Sequence, residues 1–223
     1  KDWHMFFAVA NLTAIAANPG APFKDFGELL DALKKGGANV PIATAGLSSA
    51  GHNFMESVKA AAKIDYKHVT YDGGNPAVLS TVSGETQAVA QLLVEMSEMI
   101  KGKRLVPLAV LSDKPVMLEG FGELQPTTKW LPGMPAPMNY FGIWCAKGTP
   151  DNVVKTMSAV WEKKIKTSEA LKKYANARSA LFAPLHGEEA ERESFKMVRY
   201  TAWLYFDGGK AKVSPDTLGI PRL

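Results

Sequence analysis

One cysteine, Cys145, stands in 223 residues. A lone thiol closes no internal disulfide, so the fold neither depends on an oxidising compartment nor excludes one. No apolar run approaches the roughly 18 residues that a membrane-crossing helix needs. No Gly-Lys-Ser/Thr follows a glycine-rich turn, which excludes a P-loop, and Gly46 and Gly51 lack the dinucleotide-fingerprint spacing. There is also no Gly-x-Ser-x-Gly elbow to activate a serine.

Histidine is scarce and scattered, at positions 4, 52, 68 and 186. His52 and Glu56 share one helix face at i, i+4, a spacing that suits a metal, but two ligands are too few and no third lies near in sequence. Cys145, inside Ile143-Trp144-Cys145-Ala146, reads as a buried small apolar residue rather than a nucleophile. The expectation is no enzyme, no metal and no cofactor.

Charge is also modest. Lys and Arg number 26 against 22 Asp and Glu, a formal net charge of +4. The densest basic runs, at Lys101-Gly-Lys103-Arg104, Lys163-Lys164-Ile-Lys166 and Lys172-Lys173, lack the arginine clusters and interleaved aromatics of a nucleic-acid surface. Solvated faces and helix ends account for them, and no nucleic-acid partner is expected. The chain opens Lys1-Asp2-Trp3-His4 without an initiator Met or leader pattern; either a leader has been removed or a longer protein starts further upstream.

With 46% hydrophobic and 22% charged residues, a folded core is expected. Residues 5–16 read as strand. Phe26, Leu29, Leu30 and Leu33 mark a helix that Gly36-Gly37 stops. Strand 40–43 enters a small-residue loop and then a helix with Phe54, Met55 and Val58 on one side. Strand 68–71 leads through Asp72-Gly73-Gly74-Asn75-Pro76 to a helix ending at Gly84. Strands are expected at 85–93 and 105–112, loop at 113–139, and a buried strand at 140–146. Thr149-Pro150 starts a helix that Thr149 caps, and the last third is helical at 168–176 and 187–206. Trp144, Trp161, Trp203, Tyr205 and Phe206 are assigned to the core, and Trp130 to a rim. Strands alternating with helices imply α/β layers around a partly parallel sheet.

The stretch 40–55 carries the most chemical information. A small, Ser- and Gly-rich turn between a strand and a helix leaves amides pointing outwards, and the helix dipole adds positive potential. That suits a carboxylate or phosphate, although small residues also let a strand and helix pack closely. The turn at 71–76 repeats the layout, and its paired glycines permit close approach of a ligand.

The order of these segments resembles the periplasmic receptors of tripartite tricarboxylate transporters, the Bug or TctC family. Ala43-Thr44-Ala45-Gly46-Leu47-Ser48-Ser49-Ala50-Gly51-His52 matches the family's Gly-Ser-x-Gly-x-Gly-Ser-x-x-His segment. Val69-Thr70-Tyr71-Asp72-Gly73-Gly74 matches Val-Pro-Tyr-Lys-Gly-Gly. Gly84-Glu85-Thr86-Gln87, Gly102-Lys103-Arg104-Leu105-Val106-Pro107-Leu108-Ala109-Val110, Pro126-Thr127 and Tyr140 to Pro150 follow in family order. Ala43 and Ser48 replace family glycines, Thr70 the proline, Asp72 the usual lysine and Gln87 an aspartate.

The resemblance implies a two-lobed type II periplasmic binding protein, an α/β clamshell. Residues 12–142 would form the second lobe, and 1–11 with 143–223 a remnant of an incomplete first lobe, residue 1 not being the biological start. It also implies a monomeric, exported receptor that holds a small carboxylate (a di- or tricarboxylate, aromatic acid or amino acid) and passes it to membrane permease subunits. Thr44, Ala45, Gly46, Ser48, Ser49 and His52 would hold the carboxylate; Tyr71, Gly73, Gly74 and Gln91 would line the same cleft. A cytoplasmic effector-binding regulatory domain of similar architecture is the alternative, although no helix-turn-helix segment supports it.

Overall fold

The computed structural model describes residues 2–222. The stretch read as one strand divides at Leu12 into β1 (Trp3–Asn11) and β2 (Thr13–Ala17), which belong to different sheets. The pattern gave no warning, because an extended chain crossing between sheets keeps its strand-like composition.

After β2 come α1 (Phe26–Gly36), β3 (Pro41–Thr44), α2 (Ala50–Ala62), β4 (Lys67–Thr70), α3 (Gly74–Ser83), β5 (Ala88–Leu92), α4 (Leu93–Lys101) and β6 (Val106–Val110). The larger sheet has the order β4-β3-β5-β2-β6. β3 runs parallel to both β4 and β5, and β2 is antiparallel to β5 and β6. Its strands alternate between two cores: Ile15, Ile42 and Ala90 face Phe26, Leu29, Phe54 and Met55 of α1 and α2, while Ala14, Ala43 and Val89 face Val78, Leu93 and Met96 of α3 and α4. Helices therefore cover both faces, which explains the near-continuous apolar character of these strands. Alanines dominate the middle of the sheet, so the helices can approach it closely.

The helix ends follow from their caps. Asp25 accepts from the Glu28 amide at 2.9 Å to start α1, and Ser49 accepts from the His52 amide at 3.2 Å to start α2. Gly84, at φ 86°, closes α3 in the left-handed conformation that glycine adopts without strain.

The rest of the chain builds a second, three-stranded antiparallel sheet. A short hairpin of β7 (Val116–Leu118) and β8 (Gly122–Leu124) interrupts the segment read as loop. β9 (Asn139–Ala146) then pairs with β1, followed by α5 (Asp151–Val160), a π-helical turn at Trp161–Ile165, α6 (Glu169–Ala177), β10 (Leu181–His186) and α7 (Gly187–Asp207). The order is β10-β1-β9. Phe6 and Phe7 of the central strand are fully buried, and Trp161 donates its indole N–H to the Phe7 carbonyl at 2.6 Å. β10 and α4 were not expected: β10 is short and contains Pro184, and α4 follows β5 with no breaker between them.

Several assignments are corrected. β9 is an edge strand and largely exposed, with Phe141, Ile143 and Trp144 each near half-exposed and Cys145 half-buried. Thr149 bonds the Ala146 carbonyl instead of capping α5, whose cap position is Pro150. Trp130 is partly buried, packing edge-on against Phe26 at 5.5 Å on the border of the core cluster.

Candidate functional site

The loops after β3, β4 and β5 emerge side by side, because these strands are parallel and adjacent. Each leads directly into a helix, so the N-termini of α2, α3 and α4 gather at one sheet edge. Ligands of open α/β sheets bind at such carboxyl-end loops.

The first loop is shaped by positive-φ residues, Gly46 at 110° and Ser48 at 61°. Ser48 pays a strain of about 1 kcal/mol for this that the family's glycine would not. The conformation is held from inside: Thr44 Oγ1 contacts the Gly46 amide and carbonyl, both at 3.3 Å, and the Ser48 amide donates to His52 Nδ1 at 3.0 Å. The amides of Leu47 and Ala50 donate to no acceptor among the described residues and remain open for an anion. Gly51 is needed for packing, since a Cβ there would stand 1.8 Å from the Ala90 carbonyl oxygen. That contact seats the start of α2 on β5.

His52 lies 2% exposed beneath the loop. Because Nδ1 accepts from Ser48, the ring proton sits on Nε2, which faces Glu56 Oε1 at 3.5 Å. The ring stacks on His68, whose Nε2 meets Thr44 Oγ1 at 2.7 Å. Burial holds both imidazole pKa values below their ordinary value; for His68 the neighbouring His52 adds to this, and for His52 the attraction of Glu56 opposes it. Burial also opposes ionisation of Glu56, but bonds from Lys210 and Tyr66 outweigh it and keep the carboxyl below its usual range. From α7, Tyr205 Oη reaches Asn53 Oδ1 at 2.8 Å, His52 Nδ1 at 3.1 Å and Ser48 Oγ at 3.2 Å. In the sequence Glu56 stood out only for its i, i+4 spacing with His52, His68 only as a scattered histidine and Tyr205 only as a core aromatic, and Lys210 was not singled out. His68 has no motif of its own, and Tyr205 and Lys210 lie some 150 residues away from α2.

The second loop abuts the first: the Tyr71 amide donates to the Thr44 carbonyl at 3.0 Å, and Tyr71 Oη turns outward to Glu85 at 2.8 Å. Gly73, at φ 105°, stands before α3 with no side-chain cap, leaving the amides of Gly74 and Asn75 unbonded among the described residues. Pro76 at the third helical position removes a donor that would also have lacked a partner. Gly74 is closely overlaid by the third loop. A Cβ there would fall 2.4 Å from Glu95 Oε1 and 2.5 Å from Gln91 Nε2.

The ten residues expected from the sequence thus fall into two adjoining groups. Thr44, Ala45, Gly46, Ser48, Ser49 and His52 form the first loop and its support, with the Thr44 and His52 side chains buried behind it rather than at its surface. Tyr71, Gly73, Gly74 and Gln91 form the second group. Glu95, absent from the expectation, belongs with the second; an acid among Leu93, Val94 and Met96 just beyond a strand end was its available signal. The larger grooves lie elsewhere. One of about 670 Å³ lies between β7 and α6, and one of about 480 Å³ runs between α2 and α7 beside Met134 and Trp203. Neither is lined by these loops.

The fold is the mixed α/β fold of periplasmic binding proteins. A solved periplasmic transporter structure superposes at a TM-score of 0.79 with 22% identity, over 96% of this chain and 70% of that one. MatC from Rhodopseudomonas palustris with bound malate superposes at 0.74 with 17% identity, over 89% and 68%. The chain belongs to the tripartite tricarboxylate transporter receptor family, TctC, whose model matches residues 5–186. It is 28% identical over 216 residues to the UPF0065 protein in the tcbD-tcbE intergenic region of Pseudomonas sp. strain P51, covering 90% of this chain and 62% of that relative's length. No helix among the described residues is long and apolar enough to cross a membrane.

Proposed function

We propose that the chain serves as an extracytoplasmic solute receptor, binding a small carboxylate at the loops after β3, β4 and β5 and delivering it to a tripartite membrane transporter. The gathering of the α2 and α3 N-termini, with the Leu47, Ala50, Gly74 and Asn75 amides unbonded, carries this reading. Neutral donors at helix ends hold an anion without a counter-charge that would oppose its release. In this reading 12–142 is one lobe, 1–11 with 143–223 belongs to the other, and closure around the ligand is a hinge motion at the strand crossovers. The receptor is a monomer and performs no chemistry on its ligand. Family membership and the malate held by MatC support the ligand class.

The test is a thermal-shift screen against mono-, di- and tricarboxylates and aromatic acids, with Ala50→Asp as the control variant. A ligand at 100 times its Kd adds about 2.7 kcal/mol to the native state. An acid at the first turn of α2 suits the helix dipole and leaves the fold intact, but it fills the anion site. The expected result is a shift with at least one acid that Ala50→Asp removes. No shift with any acid from a folded sample rejects the reading.

A further inference from the structure

Glu95 occupies an unusual place for a carboxylate in an anion receptor. It is the third residue of α4, where a glutamate commonly turns back to the amide of the residue before the helix. Here that amide, of Leu92, is already taken by Gln91 Oε1 at 3.1 Å. Glu95 instead reaches across to α3 and lies over the Cα of Gly74. Its Oε2 is buried and has no hydrogen-bond partner among the described residues. Gln91, only 3% exposed, points its Nε2 at the same spot, and that nitrogen too donates to no acceptor among the described residues. A buried carboxylate oxygen left without a donor costs about 1–3 kcal/mol, so the fold carries a penalty here that a bound group could relieve.

The missing partner must be a donor. Gln91 directs an N–H into the same gap and so cannot accept from it, while Glu95 supplies an acceptor carrying negative charge. Two further acids stand on adjoining elements: Asp72 on the turn before α3 and Glu85, bonded to Tyr71. An unsubstituted dicarboxylate would bring its second anion against Glu95. A ligand with an ammonium group beside its carboxylate would fill the vacancy with a charge-assisted bond.

Resting on the carboxylate reading above, we propose that Glu95 is a specificity-determining residue that receives the ammonium group of an amino acid whose carboxylate is held by the amides of Leu47 and Ala50. The receptor therefore prefers amino acids to the corresponding acids that lack the amine.

Calorimetric titration of this chain with L-aspartate, L-glutamate, succinate and glutarate tests the proposal. At neutral pH an amino acid is expected to bind at least about tenfold tighter than its deaminated counterpart, the worth of one charge-assisted hydrogen bond. In Glu95→Gln that preference falls to about onefold or inverts. Asp72→Asn, which removes the same charge from the exposed turn, retains it, separating direct recognition from the general field. Circular dichroism melts show whether each variant is folded, and Glu95→Asp, which keeps the charge, retains part of the preference if Glu95→Gln does not fold. Equal binding of succinate and aspartate by the unaltered chain, or an unchanged preference in folded Glu95→Gln, overturns this inference and leaves the carboxylate reading standing. Binding of none of the acids overturns both.

Discussion

The imidazole of His52 lies flat on that of His68, with centroids 4.5 Å apart and planes 3° from parallel. Two cations stacked this way would repel each other, so the geometry disfavours the doubly protonated pair. His52 Nδ1, accepting from the Ser48 amide, keeps the first loop in its left-handed turn. His68 fixes Thr44 from the other side of the stack.

This pair makes stability fall with acid. Both folded pKa values lie below the ordinary 6.5, chiefly through burial. The unfolded chain therefore takes up protons first, stability is fully present above about pH 6.5, and it declines as pH falls through the folded values. Each unit of displacement per histidine is worth about 1.4 kcal/mol. Urea denaturation of this chain between pH 8 and 5 is expected to show the decline, and His68→Phe a shallower one. Equal slopes for the two proteins would mean that the stack does not titrate as described.

Gly51→Ala tests how the site is seated. The added methyl would meet the Ala90 backbone carbonyl at 1.8 Å, and backbone cannot yield as a flexible side chain does. Moving α2 off β5 is expected to cost about 3 kcal/mol, measured as a lower urea midpoint. It should also weaken any carboxylate binding, since the Ala50 amide moves with the helix.

Much of this arrangement was legible in the sequence, and the reasons it was or was not are physical. Helices α1 and α2 announce themselves by apolar periodicity, because that signal is local. The 44–52 segment was legible as a loop for the same reason: a run of small residues between a strand and a helix marks the turn locally. The support beneath it was not. His52 pairs with Tyr205 across 153 residues of chain, and no spacing rule links them. The exposure of β9 was misread, because Phe141, Ile143 and Trp144 form a run of core composition on an edge strand. Glu95 was missed because its significance lies in a lack of partners, which sequence does not record.

The crossover between the two sheets rests on Asn139. Its amide donates to Thr13 Oγ1 at 3.1 Å and to the Asn11 carbonyl at 3.4 Å, tying the start of β9 to the point where β1 becomes β2. Asn139→Ala is expected to lower stability by about 1–2 kcal/mol, because Thr13 and the Asn11 carbonyl are left without these bonds. Hydrogen exchange would localise the effect: faster exchange at residues 11–13 and 139–141, with α1 and α2 unchanged. Uniform acceleration throughout the chain would show instead that the crossover is not a separately loosened unit.

Glu95→Gln should make the ligand-free protein more stable while impairing recognition. Burial raises the Glu95 carboxyl pKa above the ordinary 4.5. A carboxyl raised in the folded state holds its proton more tightly there than in the unfolded chain. Its contribution is thus fully present below the ordinary value and lost as pH rises through the folded one. The native state holds a carboxyl oxygen buried without a partner among the described residues, and glutamine replaces the carboxyl with a neutral group of the same shape. The expected outcome is a higher melting temperature for Glu95→Gln than for the unaltered chain at pH 7, with the difference vanishing toward pH 4. The histidine pair acts in the opposite sense over a higher window, so the comparison should be made between the two proteins at each pH rather than along one curve. A variant less stable than the parent at pH 7 would mean that Glu95 has a native partner and that the cost inferred at this position is absent. A gain in stability together with a loss of ligand preference is what a residue kept for recognition would show.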